Sequence, residues 1–257
     1  MGNLIKMDLY RVTKNKSFWV CFAFVTVLAL LVTPFSKLLW LLARTINPGE
    51  TPPFEKQVSL TEMLSDPFPF LGAMLAMLSA CSYFYADVQN GYIKNIAGQV
   101  PDKGLTVISK FIAIAPHNLL FMAVSVVATL LGSLPFMKIV TDSATLPNLG
   151  LFFVRFLLLQ SVCSILLFAT SAAQNKSLGT VLAVLCGTGL LSLAYMGIDA
   201  GLAQLFKNMS FSVSDYMPDQ LLRASDPRAV TGILVSVVTT VLFLFLSIRL
   251  IDRKDVK

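Results

Sequence analysis

Charge is scarce in this sequence. Only 13% of its 257 residues are Asp, Glu, Lys or Arg, about half the ~25% of an average soluble domain. Hydrophobic residues make up 56%, and mean hydropathy is +0.75. So few charges cannot cover a water-facing surface, which excludes a soluble globular fold and makes lipid the main solvent. Histidine is scarcer still. His117 stands alone, and an intramembrane metalloenzyme would need several His, Asp or Glu ligands within its spans, so no metal site is expected. The four cysteines, Cys21, Cys81, Cys163 and Cys186, all fall inside apolar runs. There they read as small packing residues, not as extracellular disulfides or a metal cluster. No Gly-rich Walker loop and no dinucleotide fingerprint occurs. The chain is therefore expected to be no enzyme and to carry no cofactor of its own; any ATP hydrolysis belongs to another chain.

What the sequence has in abundance is long apolar runs. A bilayer core takes about 20 apolar residues per helix, and six runs are of that order: 18–42, 68–85, 107–136, 151–172, 178–197 and 230–248. Lipid cannot satisfy open strand edges, and the alternation of a membrane barrel is missing. The expected fold is an all-α membrane protein of six transmembrane helices forming one domain over 1–257. The first run is too long for a cleaved signal peptide and is expected to stay as a span. With the N-terminus inside, twelve Lys and Arg residues fall in inner segments and seven in outer ones, while five acidic residues fall inside and nine outside. Both termini are then cytoplasmic. The net charge of +6 reflects this orientation and points to no nucleic acid.

Between and before the spans lie segments of distinct character. In "NLIKMDLYRVTKNKSFW", Ile5, Leu9 and Val12 recur at helical spacing while Lys6, Arg11 and Lys14 line other faces. Residues 1–17 thus read as an amphipathic helix in the inner interface, with Trp19 entering the headgroup zone; a plain basic flank is the alternative. "AQNKSLG" is a tight inner turn that makes spans four and five antiparallel neighbours. Residues 198–228 form the longest outer segment, lying at the surface or re-entering the bilayer. Asn15, Asn175 and Asn208 each begin an Asn-x-Ser sequon and are given no weight. Within the spans, His117 and Asn118 follow Pro116 near the middle of span three, and Gln160 lies in span four. Intramembrane polar groups are costly and often functional. These three are candidates for a substrate path, with structural hydrogen bonding as the other reading. Arg155 is expected to snorkel to the outer surface.

The stretch "YFYADVQNGYIKNIAGQVPDKG" joins spans two and three. Asp87 follows an aromatic helix end, Tyr92, Ile93 and Ile96 offer an apolar edge, and Gly98 and Pro101 end the segment. It reads as a short cytoplasmic helix suited to docking a partner, or as a loop resting on the membrane. Together with the basic N-terminal helix and the tail "RLIDRKDVK", it resembles the permease subunits of the type-2 ABC transporter family, similar to bacterial peptide, antibiotic and lantibiotic-immunity exporters. The resemblance extends over the whole chain through span count, loop order and length.

That resemblance implies several things. Residues 86–104 would be the coupling helix, with Asp87, Asn90, Gly91, Tyr92, Ile93, Lys94, Ile96 and Pro101 meeting a cytoplasmic ABC ATPase dimer that holds ATP and Mg. Residues 1–17 would be the elbow helix, carrying Ile5, Leu9, Arg11 and Val12. A second permease chain, identical or a sister, would pair with this one. Small residues in "GAMLAMLSACS" and "GTVLAVLCGTGLLSLA", on spans two and five, would suit either the dimer seam or packing within one chain. The complex would sit in a bacterial plasma membrane as a multi-pass exporter. A non-transporting membrane scaffold or sensor subunit is the alternative.

Overall fold

The computed structural model describes residues 1–47, 49, 57–68, 71–89, 103–140, 145–205, 212–224 and 228–253. Two helices open the chain, α1 (Gly2–Lys14) and α2 (Lys16–Ile46). They part at Asn15, whose backbone is extended and whose side chain accepts the Ser17 N–H at 3.0 Å. That is an N-cap, which satisfies one of the free amides at a helix start. The same tripeptide, Asn-Lys-Ser, recurs at 175–177. There Asn175 accepts the Ser177 N–H at 2.9 Å. Two of the three sequons are thus helix caps.

The remaining elements, in order, are β1 (Gln57–Ser59), α3 (Leu60–Ser65), α4 (Gly72–Gln89), α5 (Gly104–Ser133), β2 (Lys138–Val140), α6 (Thr145–Ala173), α7 (Lys176–Thr188), α8 (Leu191–Leu205), a 3₁₀ turn (Ser214–Tyr216), α9 (Pro218–Arg223) and α10 (Ala229–Arg253). The strands pair in parallel, Gln57 with Lys138 and Ser59 with Val140, joining the segments that follow α2 and α5. The hub is α6, which packs most extensively on α10 and also against α3, α4, α5, α7 and α9. Its Leu158, Leu159, Val162, Cys163 and Leu166 are fully buried. By contrast, α2 exposes Val20, Phe24, Val27, Leu31, Phe35, Leu38 and Leu42, and α10 exposes Val230, Leu234, Val238, Val241 and Phe245. Both sets recur every three or four residues, so each is one continuous stripe. Lipid is as apolar as these side chains, so a stripe that would be costly in water is stable in a bilayer.

Among the described residues, four helices, Lys16–Ile46, Gly104–Ser133, Leu149–Ala173 and Ala229–Ile251, are long and apolar enough to cross a membrane. They match the expected first, third, fourth and sixth spans. The expected fifth span, 178–197, is corrected: it is broken. Its two halves, α7 and α8, meet at a bend of 76°. Gly189 ends α7 with φ +79°, a left-handed conformation that glycine adopts without a Cβ clash. The pair makes a fifth crossing only if taken together. The expected second span, 68–85, is also altered, because α4 starts at Gly72 and its apolar part, Gly72–Ala86, is short of the ~20 residues a bilayer needs. Protein surrounds this helix instead, and Ala76, Met77, Ala80 and Cys81 are buried.

The small residues of α4 and α7 serve that burial. Gly187 approaches Met74 so closely that a side chain on it would overlap the Met74 backbone. Gly179 faces Thr170, and its carbonyl accepts the Cys81 thiol at 3.2 Å. Close helix approach through small residues is how membrane helices gain contact without a hydrophobic driving force. Here that contact lies within one chain.

Candidate functional site

The α1 helix lies against the first turns of α5. Its Ile5 and Leu9 are half-buried, and Val12 is buried. Between them sits Asp8, only 1% exposed. The Ser109 hydroxyl of α5 donates to Asp8 Oδ2, and Arg11 Nη1 approaches Asp8 Oδ1 at 3.4 Å. Lys110, also buried, is within electrostatic reach of Asp8 and Arg11. One carboxylate therefore lies near two cations, Arg11 on its own helix and Lys110 across the α1–α5 contact. The expected interfacial helix is docked on protein, and its apolar stripe carries an acid at the centre. Asp8 stands three residues after Ile5 and four before Val12, so it falls on the buried face by helical spacing. That placement was a legible signal and was missed.

The segment between α4 and α5 holds the expected coupling residues. Asp87 lies in the last turn of α4. Asn90, Gly91, Tyr92, Ile93, Lys94, Ile96 and Pro101 lie outside the described residues. Lys103 stands at the start of α5, whose first turns carry Ser109 and Lys110. Because α5 is a continuous helix from Gly104, its first turns link that segment to α1.

Higher in α5, His117, Asn118 and Gln160 come together as one hydrogen-bonded chain. His117 Nε2 pairs with Ser79 Oγ of α4 at 2.9 Å, and Nδ1 with Asn118 Oδ1 at 3.0 Å. Asn118 Nδ2 donates to Gln160 Oε1 at 2.9 Å and to Cys163 Sγ at 3.3 Å, both on α6. Gln160 Nε2 donates to the Phe111 carbonyl at 2.8 Å. The Asn118 carbonyl oxygen only accepts, which places a proton on His117 Nδ1. All three side chains are buried, and the imidazole stacks on Phe121 at 4.5 Å. Pairing every partner offsets the cost of burying polar groups in an apolar interior. The network ties α4, α5 and α6, which is the structural role weighed against a substrate path. By count His117 is mid-helix, yet its ring lies 5.2 Å from that of Phe18, near the start of α2. Some thirteen residues of α5, about 20 Å of helix, therefore extend past the start of α2, and α1 lies along them.

At the opposite end, Arg155 departs from expectation. It does not reach water but is 2% exposed. Its Nη1 donates to the Leu222 carbonyl at 2.5 Å and Nη2 to the Ala224 carbonyl at 2.8 Å, with Asp66 at 3.5 Å. A cation thus closes the C-terminal end of α9, where free carbonyls gather. The other side of α9 faces the α7–α8 elbow. Asp219 is buried, accepting from Tyr195 Oη at 3.2 Å and Gln220 Nε2 at 3.0 Å; burial pushes its carboxyl above the ordinary range. The Arg223 guanidinium lies against Gly189. Asp199 of α8 accepts from Ser212 Oγ at 2.7 Å and from the Val213 N–H at 2.6 Å. The described part of 198–228 is thus a wedge seated between the elbow and α6.

With the docked α1 helix and the kinked fifth run in place, the comparison with known families is decisive. Residues 4–189 match the family described as ABC-2 family transporter protein. The chain belongs to that family. No curated protein matches it. The match to ABC-2 transporter proteins runs from α1 to Gly189, taking in the Asp8 cluster, the chain between α4 and α5 and the His117 network. It stops at the elbow, so α8, α9 and α10 of this ABC-2 chain lie beyond it. As an ABC-2 transporter protein with several apolar helices, the chain is a multi-pass membrane component of a transporter.

Proposed function

We propose that this chain is the transmembrane subunit of an ATP-driven exporter, forming the path for a peptide, antibiotic or other amphipathic substrate. Its partners are a cytoplasmic ABC ATPase dimer, which holds ATP and Mg, and a second permease chain. The proposed orientation puts both termini inside a bacterial plasma membrane, with α4 and the α7–α8 pair completing six passes. The observation that carries this reading is the family match over 4–189. The docking of α1 on the first turns of α5 supports it. An ATPase that moves segment 86–104 displaces the start of α5, and Asp8 makes α1 move with it. The chain itself contributes no chemical step; it receives the stroke and changes access.

Purification in mild detergent from the native membrane tests this. An ABC ATPase is expected to co-purify with the full chain and to be lost from a folded Gly91→Pro/Ile93→Asp variant. Absence of any ATPase from the native preparation overturns the exporter reading and favours a scaffold or sensor subunit.

A further inference from the structure

Lys16 and Lys37 bracket the charge-free part of α2. The helix between them is about 32 Å long, close to the ~30 Å hydrocarbon core of a bilayer. The α5 helix keeps step with α2 over this length. Phe18 packs on His117 near one end, and Lys37 Nζ lies 4.8 Å from the Phe136 ring centroid near the other. Phe18 to Lys37 and His117 to Phe136 are both steps of nineteen residues, the second ending just past the last turn of α5. Lys37 therefore stands at a headgroup plane, the outer one under the orientation proposed above.

At that level a cavity of about 540 Å³ opens between α2 and the segment after α5. Lys37, Trp40, Gln57, Phe136, Met137 and Lys138 line it, and none of its described lining residues is acidic. The Gln57–Lys138 strand pairing fixes its outer wall. One turn beyond, Arg44 lies 5.3 Å from the Trp40 ring centroid. Lys37, Trp40 and Arg44 follow helical spacing on one face, and tryptophan at this depth is at home among headgroups.

We infer that this cavity binds the phosphate of an anionic phospholipid from the outer leaflet. Lys37 and Lys138, on separate elements, supply ammonium donors to the phosphate oxygens. Phe136 and Met137 receive the first carbons of an acyl chain. Cations beside an anionic headgroup each strengthen binding, so the pair is expected to favour an anionic over a zwitterionic lipid by about ten- to thirtyfold. The site depends on the proposed orientation only for which leaflet it faces.

Native mass spectrometry of the full chain, titrated with phosphatidylglycerol and with phosphatidylcholine of the same acyl chains, tests this. Phosphatidylglycerol is expected to bind more tightly, and Lys37→Gln/Lys138→Gln to bring it down to the phosphatidylcholine level. Lys37→Arg/Lys138→Arg should keep the preference, as should Lys176→Gln, which removes an exposed charge elsewhere. Equal binding of the two lipids, or a preference that survives the double glutamine variant, overturns the site. Displacement of phosphatidylglycerol by millimolar inorganic phosphate overturns the lipid assignment and makes soluble phosphate the ligand.

Discussion

Replacing Arg155 with leucine is expected to destabilise the protein by about 2–4 kcal/mol, because two hydrogen bonds from a cation are lost and the Leu222 carbonyl stays buried. The donors reach Leu222 and Ala224 at 2.5 and 2.8 Å, and Leu222 is 4% exposed. Arg155→Lys should recover a minor part of the loss. A single ammonium on a flexible stem does not reproduce the planar fork that reaches two carbonyls at once. Asp66 contributes less. Its side chain is 68% exposed, so Asp66→Asn is expected to cost about 1 kcal/mol or less. Thermal unfolding in detergent, followed by near-UV circular dichroism, ranks the three variants. If Arg155→Leu and Asp66→Asn unfold together with the native chain, the clamp is incidental. If the clamp holds α9, limited proteolysis of Arg155→Leu should also cut faster within 206–228.

The same arginine shows where sequence reading reaches its limit. The four long spans were legible because a long apolar run must match the bilayer, and among the described residues α2, α5, α6 and α10 are the helices that carry one throughout. The N-terminal helix was legible from the spacing of Ile5, Leu9 and Val12. Arg155 was read from its nearness to a span end, which gives depth but not company. Its partners stand some seventy residues later, on a short helix whose own hydropathy is unremarked. The run 178–197 carries the signal of its break in Gly187 and Gly189. Hydropathy summed along a window cannot see a change of direction, since both halves are apolar. His117, Asn118 and Gln160 were singled out as polar groups costly to bury. That they satisfy one another is tertiary information, carried by the crossing of α5 and α6. The coupling role expected of Asp87, Asn90, Gly91, Tyr92, Ile93, Lys94, Ile96 and Pro101 rests on the sequence and the family resemblance.

The second large effect is expected at Asp8. Asp8→Leu leaves Lys110 buried beside Arg11 with their shared carboxylate removed, and it leaves the Ser109 hydroxyl without its acceptor. Removing one partner from a buried charge cluster typically costs about 3–5 kcal/mol. The loss should fall on the α1–α5 contact, and protease should reach α1 sooner. Lys110→Leu alone should cost less, because Arg11 still accompanies Asp8. The double variant Asp8→Leu/Lys110→Leu replaces a polar contact with an apolar one of similar bulk, and is expected to be more stable than Asp8→Leu alone. The cycle should show a coupling energy of about 1–3 kcal/mol. Costs that simply add would mean that Asp8 and Lys110 act independently, and the cluster would not be the link between the two helices. Asp8→Asn separates charge from hydrogen bonding. It keeps an acceptor for Ser109, so α1 should stay in place while the cations lose their counter-charge. In the proposed exporter the two variants then diverge. With Asp8→Leu, the co-purified ATPase should keep turning over while substrate movement falls, because α5 is driven without α1 following it. With Asp8→Asn, the two activities should decline together or not at all. A transport rate in proteoliposomes that is unchanged by Asp8→Leu would remove α1 from the coupling path and leave it a purely structural brace.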